Sequence, residues 1–154
     1  MSATPAADRD VQFDADGTTT YGTLHVPAHR DGERLAAALL LAGSGPTDRD
    51  GNVPGLEVMP QTLKLIAAAL GQLGVMSLRF DKYFSGRTGG GAFAGDPAAL
   101  DLGAYLRQAA AAYQAWPAGG AAAAQGGRRP EPDGPPDGCR AAGRRGRPAP
   151  RHGR

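Results

Sequence analysis

A single cysteine, Cys139, stands among 154 residues, which excludes an internal disulfide or a multi-thiolate metal site. Aromatic residues make up only 6% of the chain, while glycine and proline together number 37. A uniformly folded domain of this size would ordinarily show the reverse emphasis. No apolar run approaches the roughly 20 residues of a membrane-spanning helix; the longest, Leu35 to Ala42, stops at Gly43. The opening MSATPAADRD lacks a basic stretch followed by an apolar one, so a secretory leader is not expected there. These absences leave the expectation of one soluble, cytoplasmic domain.

The scarcity is unevenly distributed. Between Pro117 and Arg154 there is no Val, Ile, Leu, Met, Phe, Tyr, Trp or Lys. Of these 38 residues, 32 are Ala, Gly, Arg or Pro. This segment carries a net charge of +5 and the preceding 116 residues carry −3, so the basic balance belongs to the tail. A segment without large apolar side chains cannot offset the entropy of ordering its backbone, and 117–154 is expected to be disordered. All four dominant residues have codon families with only G and C in the first two positions. A GC-rich gene read out of frame beyond Trp116 would give this composition. The rival reading is an Arg/Gly-rich arm binding nucleic acid or an acidic membrane surface through charge, although the tail offers no aromatic ring for base stacking.

The first 116 residues read as an α/β domain, with 1–10 as a flexible N-terminus. Val11 to Phe13 and Thr20 to Val26 are β-like runs separated by Asp14-Ala15-Asp16-Gly17, the pattern of an antiparallel hairpin. Leu35 to Ala42 does not alternate and reads as a strand buried on both faces of a parallel sheet. Pro60 is expected in the first turn of a helix whose apolar stripe is Leu63, Ile66, Leu70 and Leu73, ended by Gly74. Val75 to Phe80 is a further strand, and Asp81 to Gly95 a glycine-rich loop. Asp96-Pro97 then opens a helix whose inward face is expected to hold Leu102, Leu106, Ala109, Tyr113 and Trp116. The order is β-β-β-α-β-α, a hairpin followed by βαβα.

Chemistry concentrates at two strand ends, GSGPTDRDGN (43–52) and RFDK (79–82). Together with the strand and helix pattern around them, these resemble the N-terminal half of the α/β-hydrolase superfamily, in particular an esterase-like and peptidase-like branch. The resemblance spans Val11 to Trp116 and implies a partial α/β-hydrolase sheet. It also implies that the Ser44 backbone N–H, flanked by Gly43 and Gly45, is one donor of an oxyanion hole. Such a preorganised amide stabilises the negative oxygen of a tetrahedral acyl intermediate. Ala42 occupies the position of the family's frequent histidine. Asp81 and Lys82 match a structural turn, with Asp81 as a loop-ordering carboxylate. On the residues alone, a glycine-rich strand-to-helix turn without chemistry is equally compatible with 43–45.

The nucleophile elbow G-x-S-x-G is absent from the sequence, so no catalytic triad is identifiable. Ser44 has Ala42 and Pro46 where an elbow requires glycines. His25 and His29 precede the loop, contrary to the family order of Ser, acid, His, and His152 lies in the tail. Asp48, Asp50 and Asn52 superficially suggest a calcium loop, but Gly51 and the missing distal glutamate argue against a metal. Gly89-Gly90-Gly91 lacks the Lys-Ser/Thr of a phosphate loop, so no cofactor is expected. By resemblance the intact parent would be a serine hydrolase of small-molecule esters, or less readily of peptide bonds, and this chain would be inactive. The resemblance implies a further parallel strand beside Leu35 to Ala42, and without it that strand would be an open sheet edge, from which self-association is expected.

Overall fold

In a computed structural model, residues 3–57 and 59–116 are described. The expectations for 117–154, including Cys139 and His152, lie outside the described residues. Strand β1 (Ala3–Thr4) pairs with β4 (His29–Arg30) in a two-stranded antiparallel ribbon. The main sheet has four strands in the order β2 (Ala7–Ala15), β3 (Thr18–Val26), β6 (Val75–Phe80) and β5 (Ala36–Leu40). The first two neighbouring pairs are antiparallel, whereas β5 and β6 run parallel. Helix α1 (Thr62–Gln72) connects the parallel pair, and α2 (Leu102–Gln114) follows β6. The hairpin followed by βαβα is therefore the architecture observed.

The hairpin is longer than its β-propensity suggests. Asp14 and Ala15 belong to β2, and the turn contracts to Asp16-Gly17, both at positive φ. Two consecutive left-handed residues match the twist of a right-handed hairpin, and Asp-Gly is a favoured pair for it. Residues 7–10, expected to be flexible, are paired residue for residue with Leu24 to Val26 and Thr23. Their polar side chains hid a strand held by its backbone ladder.

Alternation along β6 divides the sheet into two unlike faces. Leu24, Val26, Met76, Leu78 and Phe80 form an apolar cluster with Ala112 of α2, joined by Val11, Phe13 and Leu39. Phe13 and Phe80 meet edge to face, their centroids 5.6 Å apart. The opposite face carries Ser77 and Arg79, and His25 contacts α1 there at Gly71. Helix α1 buries Ala67, while Ile66 and Leu73 of the expected stripe are exposed. Gly74 does end α1, at positive φ. Pro60, however, precedes the cap residue Gln61 and so lies outside the first turn.

Helix α2 is rotated relative to the expected stripe. Ala104, Gln108 and Ala112 face inward; of the expected stripe, Ala109 and Trp116 pack against the core, whereas Leu102, Leu106 and Tyr113 are exposed. The small residues Ala104 and Ala112 let the helix approach the sheet closely, and Gln108 between them joins two elements. Its Oε1 accepts from Tyr83 N–H at 3.2 Å and its Nε2 donates to Thr20 Oγ1 at 3.0 Å. The cap is Asp101, which accepts from Ala104 N–H at 2.8 Å; Asp96-Pro97 instead opens a separate 3-10 turn, Pro97–Ala99. The loop after β6 is not merely glycine-rich, because it sends Tyr83 into a second core with Ala15 and Ala104.

Strand β5, expected to be covered on both faces, is half-buried at most. It forms the edge of the described sheet, with only β6 beside it. The strand at the centre, buried almost throughout, is β6. Uncharged edges of this kind are templates for pairing with another chain. Size-exclusion chromatography with light scattering should therefore find the protein largely self-associated, and Leu40→Lys should shift it toward monomer. A sharp wild-type monomer peak would contradict this.

Tyr83 provides a second test. Its hydroxyl donates to Ala15 O at 3.0 Å and also contacts Asp16 Oδ2 at 3.3 Å. Burial, reinforced by Asp16, pushes its pKa up to about 12 from 10.0. Because the folded-state value is raised, its stabilisation is complete below pH 10 and is lost as pH rises toward about 12. Urea titrations between these limits should show that decline in the wild type and a much flatter profile in Tyr83→Phe.

Candidate functional site

The two sequence motifs meet in space. Arg79, at 3% exposure, projects from the polar face of β6. Its Nε donates to Asp50 Oδ1 at 2.9 Å, and its Nη2 reaches Asp8 Oδ2 at 3.4 Å. Asp8 also meets His25 Nδ1 at 2.6 Å. Burial alone would raise the Asp8 pKa, but the hydrogen bond with His25 and the Arg79 charge outweigh it and hold the carboxyl below its ordinary value. Arg79 Nη1 is buried without a hydrogen-bond partner among the described residues. The guanidinium thus leans on two carboxylates that come from distant parts of the chain.

Asp81, the next polar residue, is buried and acts as a staple. Its Oδ1 accepts from Arg49 N–H at 2.8 Å and its Oδ2 from Arg87 N–H at 2.9 Å, so one carboxylate holds two loops. The Arg49 guanidinium stands 4.0 Å from Asp81 Oδ2 and donates to Gly22 O at 3.2 Å. Gly86 lies so close that a Cβ there would come within 2.3 Å of the Asp81 carboxyl, at φ +47. Lys82 completes the attachment by donating from Nζ to Gly43 O. Burial pushes the Lys82 ammonium below its usual pKa, and the ring of Tyr105 lies 5.8 Å away.

Between these anchors, the loop closes on itself. Asp48 Oδ1 accepts from Asp50 N–H at 2.9 Å and from Asn52 N–H at 2.8 Å, while Asn52 Oδ1 accepts from Gln61 N–H at 3.0 Å. The Asp50 carbonyl receives Leu63 N–H and Lys64 N–H, two donors that a helix start leaves without intrahelical partners. Gly51, at φ +93, lies so near α1 that a Cβ would sit 2.8 Å from Leu63 N. The calcium-like spacing of Asp48, Asp50 and Asn52 thus organises the loop and its helix. Among the described residues, no group of three or more His, Cys, Asp or Glu is placed to hold a metal.

Ser44 sits at the open end of this arrangement. It is exposed, its carbonyl accepts from Thr47 Oγ1 at 2.9 Å, and among the described residues its N–H donates no hydrogen bond. With Gly43, Gly45 and Lys82, it lines a cavity of about 540 Å³. Leu41, Leu102, Leu106 and Tyr105 form much of the remaining wall. His25 and His29 do not line this cavity; His29 Nδ1 lies 2.9 Å from Pro27 O. The arrangement can present an amide donor beside an apolar cleft, and among the described residues no histidine lines it.

Sequence reasoning located the loop and the ordering role of Asp81. It missed the coupling of Arg79 to Asp50 and Asp8, and that of Lys82 to Gly43. Arginine in an otherwise apolar strand was the available signal, since a buried guanidinium requires carboxylates near it. Asp81→Ala would leave two amide donors without their acceptor. It should cost about 2–4 kcal/mol in urea unfolding, whereas Asp48→Asn, which retains an acceptor oxygen, should cost less. Equal and negligible effects would contradict the staple.

No protein-family model and no curated protein matches the sequence. Among solved structures, the chain is similar to the α/β hydrolase GrgF from Penicillium sp. sh18, with 25% identity and a TM-score of 0.41 over 55% of this chain and 24% of that one. It is similar to a putative hydrolase from Agrobacterium vitis, with 18% identity and a TM-score of 0.47 over 72% of this chain and 36% of that one. An α/β serine hydrolase without a lid from Xanthomonas campestris aligns at 20% identity and a TM-score of 0.42, over 73% of this chain and 47% of that one. The chain thus spans from about a quarter to about half of the length of these structures.

Proposed function

We propose that this chain is the oxyanion-loop half of an α/β-hydrolase whose intact form is a serine hydrolase of carboxylic esters acting through an acyl-enzyme. The observation that carries this reading is the three-point anchorage of 43–52 on 79–82, which leaves the Ser44 N–H without an acceptor among the described residues. A donor held in advance costs little reorganisation when an oxyanion forms, which is the requirement for stabilising a tetrahedral intermediate. Gly43 and Gly45 leave room for a substrate carbonyl at the backbone. The nucleophile, acid and histidine have no counterpart in this sequence, so the chain itself performs no turnover. The composition of 117–154 supports a change of reading frame after Trp116 as the reason.

Two experiments test this. The purified chain should neither hydrolyse short p-nitrophenyl esters above buffer nor react with a fluorophosphonate probe. Stoichiometric labelling at Ser44 would overturn the assignment and make the loop a nucleophile loop. The gene read in its other frames beyond the Trp116 codon should encode a strand leading into G-x-S-x-G; an uninterrupted tail-like composition in all frames would count against the parent hydrolase. In the restored protein, Ser44→Pro, which deletes the N–H, should lower kcat by about 10²–10³, while Ser44→Ala, which keeps it, should not.

A further inference from the structure

The Gly43 carbonyl and the Ser44 N–H belong to one peptide group, which is trans and therefore points its oxygen and its hydrogen in opposite directions. Lys82 Nζ donates to that oxygen, whereas the Ser44 N–H meets no acceptor among the described residues. The two observations concern the two ends of one dipole. Packing does not hold this peptide, since a Cβ built on Gly43 would meet no atom within 4 Å, and the same is true of Gly45. Glycine on the N-terminal side of the bond also leaves it free to rotate. Its orientation therefore depends on hydrogen bonds. Thr47 Oγ1 donates to the next carbonyl, that of Ser44, and Lys82 holds that of Gly43.

We propose that Lys82 is a positioning residue for the Ser44 amide: its ammonium pins the Gly43–Ser44 peptide with the N–H toward the cleft and draws electron density through it, making that N–H a stronger donor. Hydrogen-bonded groups in series polarise one another, and here the series runs from a cation through one peptide to the free N–H. Lys82 is well placed to act in this way. It follows Asp81, whose carboxylate is fixed by the Arg49 and Arg87 amides. Burial pushes the ammonium below its ordinary pKa, and a charge removed from water acts more strongly on a neighbouring dipole. The inference deepens the oxyanion reading of Ser44 and rests on it for a role in a reaction. The contact itself is internal to the chain and requires no ligand.

Base-catalysed exchange of the Ser44 amide hydrogen tests this. Exchange removes the amide proton and leaves negative charge largely on the Gly43 oxygen, so a cation at that oxygen accelerates it. A tether without polarisation does not, because releasing a loop leaves its exchange unchanged or faster. The full chain and its variants are compared at one pH and one concentration, by mass spectrometry with fragmentation to single residues. Ser44 should exchange at least about fivefold faster in the wild type than in Lys82→Met. Lys82→Gln, which keeps a donor for Gly43 O without the charge, should be slow as well, and Lys82→Arg should recover most of the rate. Equal or faster exchange at Ser44 in the uncharged variants overturns the proposal, and so does slow exchange in Lys82→Arg. Protection of the Arg49 amide reports whether a variant keeps its fold; if Lys82→Met loses it, Lys82→Gln decides. If both lose it, the reference is a synthetic peptide of residues 40–48, and wild-type exchange slower than the peptide's overturns the proposal. No ester and no nucleophile takes part, so the hydrolase reading can fail by the probe and frame tests while this one stands, and the reverse.

Discussion

A guanidinium buried on the polar face of the central strand constrains much of the rest of this molecule. A guanidinium buried in that position is costly unless carboxylates pair with it, and no neighbour on its own strand supplies one. Asp50 must therefore return from the loop after β5, and Asp8 must be carried in on the hairpin. Bringing Asp50 into place sets its carbonyl against the first amides of α1 and draws Gly51 close to the same helix. Asp81 and Lys82, immediately beyond, then hold Arg49 N–H and Gly43 O. The position of Ser44 follows from these bonds together.

The two faces of the sheet are consequently stabilised by different physics. Beneath α2, burial of Leu24, Leu78, Met76 and Phe80 supplies a non-directional hydrophobic contribution. Beneath α1, the contacts are directional, because His25, Asp8, Arg79 and Asp50 must satisfy one another while sparing little space for α1 beyond Ala67 and Gly71. Directional contacts of this kind specify a geometry more than they add net stability. A site that depends on one amide at one position needs such specification.

How much of this could be read in advance depended on whether the signal was local. The order of strands and helices, the Asp-Gly turn and the Gly74 stop were legible because each rests on residues adjacent in sequence. The orientation of α2 was not, since hydrophobicity alone favours Leu102 and Leu106 as the inward face. What prevails is the fit of Ala104 and Ala112 together with the two hydrogen bonds of Gln108, which depend on Tyr83 and Thr20 far away in the chain. For the same reason Leu35 to Ala42 read as fully covered, as its composition suits a central strand whereas its place in the described sheet is an edge. Exposed leucines on α2 and an uncovered β5 are two aspects of one arrangement, a sheet whose described part stops on the side where its most apolar strand lies.

The central claim is that residues 79–82 hold the loop 43–52 rigidly in place, and backbone hydrogen exchange at single-residue resolution tests it most directly. The Arg49 and Arg87 amides, both donating to Asp81, and the Leu63 amide, donating to Asp50, should exchange far more slowly than unpartnered loop amides such as that of Ser44. In Asp81→Asn, where one of the two acceptor oxygens is lost, protection at Arg49 or Arg87 should collapse while β3 and β6 stay protected. Exchange of Arg49 and Arg87 at the rate of an unfolded chain in the wild type would contradict the account.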